Sequence, residues 1–122
     1  MNCIFCNIEK EKIILESEYS IAFYDNYPVN LGHTLIIPKR HVSNHFELSK
    51  NEKNDIWELV DKLKIIIDKK HSPNGYNIGI NIGKSAGQTI FHSHIHLIPR
   101  YNGDVSNPKG GVRGVIPNKQ KY

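Results

Sequence analysis

Three of the seven histidines fall within five residues, at His92, His94 and His96. They sit in the run Gly87-Gln-Thr-Ile-Phe-His-Ser-His-Ile-His-Leu-Ile-Pro-Arg100, with small or apolar residues between them. An imidazole can bind a metal, attack an electrophile or carry a proton near neutral pH. The alternation, halted at Pro99, predicts a strand from about Ile90 to Ile98 with all three rings on one face. Same-face neighbours on a strand are ~6.5 Å apart and the outer pair ~13 Å, so one ion could take two of these rings but hardly three. Separate roles follow from that spacing. The plain alternative is a solvated histidine face on an edge strand, although solubility does not call for a Gly-Gln-Thr turn before the rings and a proline stop after them. The other reactive group is Cys3-Ile-Phe-Cys6, the only cysteines of the chain. Such a pair reads as metal-binding, redox-active or buried and inert.

These residues need elements to position them. After a short turn or helix at the cysteines, Ile13 to Leu15 and Ser20 to Tyr24 read as a hairpin around Glu16-Ser17-Glu18. Asp25 to Asn30 is a loop by its Asn and Pro content, and Gly32 to Ile37 is a strand ended by Pro38. The unbroken Leu35-Ile36-Ile37 predicts burial on both faces. Ser49-Lys-Asn-Glu52 forms a capping box, from which a helix carries Ile56, Leu59, Val60, Leu63, Ile66 and Ile67 as a core stripe until Ser72-Pro73-Asn74-Gly75. Trp57, at the stripe's margin, suits packing or a subunit contact better than ligand stacking. Tyr76 to Ile82 is a further strand, in which Gly79 suggests close backbone approach. The glycine-rich Gly83 to Gly87 loop, running into Gln88-Thr89, could cradle a phosphate through its amides although it lacks P-loop spacing. Beyond Arg100 no periodicity survives, and residues 102–122 are expected to form an irregular surface tail on a single domain.

A chain of 122 residues is most simply one domain, and a complete site at this size can draw on a partner subunit. The formal charge of +4 suits a small anion. The basic residues are dispersed instead of forming a stripe with interleaved aromatics, which argues against a nucleic-acid polymer. No stretch is apolar enough to cross a membrane and the start does not read as a signal peptide, so the expected location is cytoplasmic.

His92-Ser-His94-Ile-His96-Leu97-Ile98 resembles the signature of the histidine-triad (HIT) nucleotide-binding family. Ala22-Phe23-Tyr24-Asp25, Gly32-His33-Thr34-Leu35-Ile36-Ile37-Pro38-Lys39 and Ala86-Gly87-Gln88-Thr89 stand in that family's order and spacing, so the likeness covers residues 3–101. It implies an α+β fold with a five-stranded antiparallel sheet and one main helix, joined across a two-fold axis into a homodimer. It further implies a purine nucleotide substrate cleaved at the α-phosphorus through a nucleotidyl-histidine, with His94 as nucleophile. By position, Asp25 would bond the ribose hydroxyls and Phe23 would line the base pocket. A turn-capping role competes for Asp25, and core packing coexists with base contact for Phe23. Some family members hold a structural zinc, and Cys3 and Cys6 resemble half of that site. His41 and His92 would complete it, with His45 as a rival to His41, and a bend near Ser93 would then be needed to turn His92 away from its neighbours.

The chemistry suits these residues. A neutral His94 can attack phosphorus provided its other nitrogen is protonated and held by an acceptor. His96 could donate to the phosphate or act as general acid toward the leaving group. Gln88, Thr89 and Asn81, with the Gly87 loop, would hold non-bridging oxygens. Dinucleoside polyphosphates and nucleoside phosphoramidates both remain open as substrates. Competing readings are a nucleotide-binding scaffold and a hydrolase using the triad as metal ligands; strand spacing and the lack of a nearby acid count against the latter.

Overall fold

The computed structural model describes residues 2–122. Five strands, β1 (Ile13–Glu16), β2 (Ser20–Tyr24), β3 (Thr34–Pro38), β4 (Gly75–Ile80) and β5 (Ile95–Arg100), form one sheet in the order β1-β2-β3-β5-β4. Every neighbouring pair is antiparallel. Helix α1 (Lys50–His71) lies across one face. This is the α+β architecture expected.

The helix starts where its cap allows. The Ser49 hydroxyl accepts from the Glu52 amide at 3.1 Å, and the Glu52 carboxylate accepts from the Ser49 amide at 2.8 Å. Arg40 clamps the same carboxylate and, with these bonds, holds it down at about 2. Ser72, in the left-handed region at φ 50°, ends the helix. Ile56, Leu59, Val60, Leu63 and Ile67 then pack on Ala22, Ile36, Ile95 and Leu97. Each fully buried aliphatic side chain of this kind contributes roughly 1.5–3 kcal/mol.

The opposite sheet face buries Ile21, Phe23, Leu35 and Ile37 beneath Phe5 from the short 3₁₀ helix Ile4–Asn7. The run Leu35-Ile36-Ile37 is therefore buried on both faces, with alternate residues sent to the helix and to the N-terminal turn.

The histidine segment departs from the expected strand. β5 begins only at Ile95 and continues through Pro99 to Arg100, so His96 alone of the three lies in the ladder. Before it, the Ser93 amide donates to the Val42 carbonyl and the His92 ring turns to the Pro38 carbonyl, which takes His92 to His94 out of strand pairing. Pro38 is the last residue of β3 and Pro99 lies within β5, one before its end, instead of just beyond a strand. Similarly, β4 ends at Ile80, ahead of the expected Ile82. Gly79 faces His96 in register but has open space where a Cβ would point, so it leaves room beside that ring. The tail is less irregular than its sequence suggests: Gly111–Val115 and Pro117–Lys119 form short 3₁₀ helices. They close on Gln120, whose backbone leaves no room for a side chain at Gly110.

Candidate active site and metal cluster

Beside the triad, on the face away from α1, is a cleft of about 460 Å³. Its apolar walls are Ile4, Phe5, Ile8, Phe23, Leu35 and Ile90, and its polar groups include Asp25, Asn81, Thr89, His94 and His96. Gly87 contributes backbone to the same rim. The size and the mixture of apolar walls with a few convergent polar groups suit a small organic molecule.

The three histidines have three different environments. The His94 Nδ1–H donates to the His92 carbonyl at 2.8 Å, which fixes the tautomer and leaves the Nε2 lone pair free. Phe5 packs edge-on against that ring with centroids 5.1 Å apart. His96 is 5.1 Å from His94, centroid to centroid. Burial, helped by His94 and His33, pushes the His96 imidazole down to about 4, so it is neutral near pH 7.

His33, given no role on sequence grounds, decides which nitrogen of His96 bears the proton. The Val29 amide donates to His33 Nδ1 at 3.1 Å, so the neutral ring must carry its proton on Nε2. That Nε2–H lies 3.0 Å from His96 Nδ1 and donates to it. His96 is thereby left with an Nε2–H for the cleft. Asp25, 3.5 Å from His33 Nε2, flanks the pair, while its other oxygen caps the turn by accepting from the Tyr27 amide at 2.9 Å. Asp25 thus caps the turn through one oxygen and also lines the cleft. Asp25, His33 and His96 bring their donor atoms within 4.8 Å of one another. They nevertheless make a poor metal triad, because the Val29 amide keeps His33 Nε2 protonated. No spacing in the sequence marked His33: it comes beside His96 through the β3–β5 register, in which Leu35 faces His96.

Gln88 corrects an expectation. Its side chain is buried and turned into the loop, accepting from the Gly83 amide and donating to the Ser43 and Ile90 carbonyls at 2.9, 2.9 and 3.2 Å. Those bonds occupy both amide protons, so the side chain braces the Gly83–Gly87 loop and is not presented to a ligand. Thr89 and Asn81 do reach the cleft.

His92 faces the other way. Its Nε2–H donates to the Pro38 carbonyl at 2.7 Å, which leaves the Nδ1 lone pair toward Cys3 Sγ and Cys6 Sγ, both at 3.5 Å. His41 Nδ1 lies 3.3 Å from Cys6 Sγ and 3.3 Å from His92 Nδ1. A tetrahedron with zinc bonds of ~2.3 Å to sulfur and ~2.05 Å to nitrogen has S–N edges of ~3.5 Å and N–N edges of ~3.3 Å. The donor set therefore fits a tetrahedral divalent ion. The Pro38 carbonyl provides the outer hydrogen bond that orients a ligating imidazole. His45 lies elsewhere, buried against Trp57 with ring centroids 6.1 Å apart.

Comparison with known proteins places the chain in a family. The chain is 41% identical over 106 residues to the adenosine 5'-monophosphoramidase hnt1 of Schizosaccharomyces pombe, covering 84% of this chain and 77% of that protein. It is 36% identical over 100 residues to the bis(5'-adenosyl)-triphosphatase of Dictyostelium discoideum, covering 82% and 67%. Among solved structures, a zinc-bound histidine triad family protein from Mycobacterium smegmatis superposes with a TM-score of 0.76 at 33% identity, over 87% of this chain and 80% of the other. Residues 7–103 match the HIT domain, and the chain belongs to the HIT family.

Proposed function

We propose that this protein is a nucleotide hydrolase or nucleotidyl transferase acting at the α-phosphorus of a purine nucleoside phosphate, with His94 as nucleophile. The observation that carries the reading is the His94 ring, protonated and anchored on Nδ1 by the His92 carbonyl and free on Nε2 at the wall of the cleft. In the first step His94 Nε2 bonds to phosphorus while the bond to the leaving group breaks, its electron pair going with a departing phosphate oxygen or with a nitrogen that takes up a proton from solvent and leaves as the amine. In the second, water attacks phosphorus, the N–P bond breaks with its pair returning to Nε2, and the water proton passes to solvent. His96 is neutral above about pH 4, so it serves as an N–H donor to a phosphate oxygen and not as an imidazolium acid. Thr89, Asn81 and the backbone at Gly87 complete the oxygen-binding side, and Gln88 acts by holding the loop. The nucleoside is assigned to the apolar walls: the base against the side that Phe5 and Phe23 form together, the ribose near Asp25.

Cys3, Cys6, His41 and His92 are assigned to a structural zinc. When bound, the ion would tie the N-terminal turn to the backbone that anchors His94. The catalytic step itself requires no metal in this scheme. A homodimer is supported by the unpaired edge of β4 and by exposed apolar side chains at Trp57, Ile65 and Ile78. Relatives with phosphoramidase and with dinucleoside triphosphatase names stand at similar identity, and both substrate classes are retained.

The test is incubation with diadenosine polyphosphates and with adenosine phosphoramidate, comparing the wild type with His94→Ala. Turnover is expected to fall by roughly 10³-fold or more in the variant, with a nucleotidyl adduct seen by mass spectrometry only when His94 is present. Undiminished activity of His94→Ala would overturn the mechanism. Nucleotide binding without turnover of either substrate by the wild type would favour a scaffold.

A further inference from the structure

The tautomer of the His33–His96 pair depends on one backbone amide, that of Val29, and Val29 lies in an exposed loop. The loop from Asp25 to Gly32 buries little: Tyr27 is 88% exposed, Val29 68% and Leu31 64%. Packing therefore cannot hold the Val29 amide on His33. Polar ties must do so: the Tyr101 hydroxyl donates to the Leu31 carbonyl at 2.7 Å, and three further bonds meet at Asn30.

The two amide protons of Asn30 go to the Pro99 carbonyl at 3.1 Å and to Asp104 Oδ2 at 2.7 Å. The Asn30 carbonyl accepts from the His33 amide at 3.1 Å, closing the turn that carries the ring. Asp104 is itself rigidly held. Arg100 grips it with Nε at 2.8 Å and Nη2 at 2.9 Å, the Tyr101 amide donates to it at 3.0 Å, and Asn77 on β4 accepts from Arg100 Nη1 at 2.6 Å. Both side chains of the ion pair are largely buried, at 24% and 12% exposure. A fork-to-fork pair of this kind fixes direction as well as distance.

We infer that Asn30, clamped by the Arg100–Asp104 pair, is a positioning residue that sets the proton arrangement of the His33–His96 couple. The argument runs through hydrogen-bond valence. With the Val29 amide in place, only the arrangement His33 Nε2–H to His96 Nδ1 is allowed, and His96 points an N–H into the cleft. If the loop swings off, His33 can hold its proton on Nδ1 and accept at Nε2 from His96 Nδ1–H. His96 would then turn a bare lone pair toward a phosphate oxygen, which repels it. A side chain that touches neither substrate nor the triad would thus control whether His96 donates. The catalytic consequence rests on the proposed function; the tautomer itself does not.

The experiment uses long-range proton–nitrogen correlation spectra of the histidine rings in the free protein near neutral pH, which distinguish protonated from bare ring nitrogens. The wild type is expected to show His33 and His96 each protonated on Nε2 alone. Asn30→Ala is expected to give a mixture of tautomers at both rings with its backbone amide spectrum otherwise retained. Asn30→Ser, which keeps one donor, should lie between them and serves if the alanine variant does not fold. Turnover of the best nucleotide substrate should fall by roughly tenfold in Asn30→Ala, mostly in kcat. The inference is overturned if the wild type shows mixed or opposite tautomers, or if folded Asn30 variants keep the wild-type pattern. A tautomer shift supports it even in a chain that turns over no nucleotide, so its fate is separable from that of the proposed function.

Discussion

At the scale of single residues, burial of neutral imidazoles is what the site requires and what acid should undo. His96 is held neutral down to about 4, and His33 is also lowered by burial, partly opposed by Asp25. The unfolded chain takes up these protons near the ordinary value of about 6.5, so it binds more protons than the native state between there and about 4. Stability is therefore complete above about pH 6.5 and declines as pH falls toward 4. For His96 alone the loss between neutral pH and pH 5 is on the order of 2 kcal/mol. Thermal melts across that range should show the midpoint falling on acidification and a shallower fall in His96→Gln. An equal slope in the two proteins would remove His96 as the cause. His33 and Gln88 show where single-residue reading has its limit. The first gains a role from an amide four residues away and the second loses one to three backbone groups, and no spacing rule encodes either.

Among the elements, the N-terminal 3₁₀ turn links the metal cluster to the cleft. Cys3 and Cys6 flank Ile4 and Phe5, which line the cleft, and Phe5 touches both Phe23 and His94 with ring centroids 5.5 and 5.1 Å away. A turn of four residues has little stability of its own, so its placement depends on its ends. Protein purified without added metal should contain one zinc per chain by elemental analysis. Cys3→Ser with Cys6→Ser should lose it, lower the melting midpoint by several degrees and raise KM for nucleotide more than it lowers kcat. Full alkylation of both thiols in the native protein, with no zinc found, would remove the ion from the scheme. The Cys-x-x-Cys spacing was visible in the sequence. That His92 turns its Nδ1 toward those sulfurs while His94 and His96 serve the cleft was not, because it depends on the departure from strand geometry before Ile95.

For the whole molecule, the sheet ends on β4 with its outer backbone edge unpaired in the chain. Ile78 on that strand is 42% exposed, and Trp57 and Ile65 on α1 are exposed too. An open edge beside apolar surface favours pairing with a second copy. Light scattering should give twice the 14.0 kDa chain mass, and Ile78→Lys should shift the population toward monomer. A monomeric wild type at micromolar concentration would count against the dimer. Among the described residues no helix is long and apolar enough to cross a membrane, as the sequence indicated.

The sequence by itself determined the capped helix and its core stripe, the hairpin and the order of chemically active residues, because these depend on periodicity and local hydrogen bonds between near neighbours; the fold class came from the resemblance to the HIT family. It also separated the three histidines in principle, since a regular strand could not bring them to one ion. Which partner each ring's nitrogens take was decided by tertiary structure. The Pro38 and Val42 carbonyls reach the histidine region from a segment distant in sequence, and the Val29 amide, local to His33, acts on His96 only because the fold sets the two rings together. Tautomers are fixed by whatever group lies opposite each nitrogen, and only the folded chain brings those groups there.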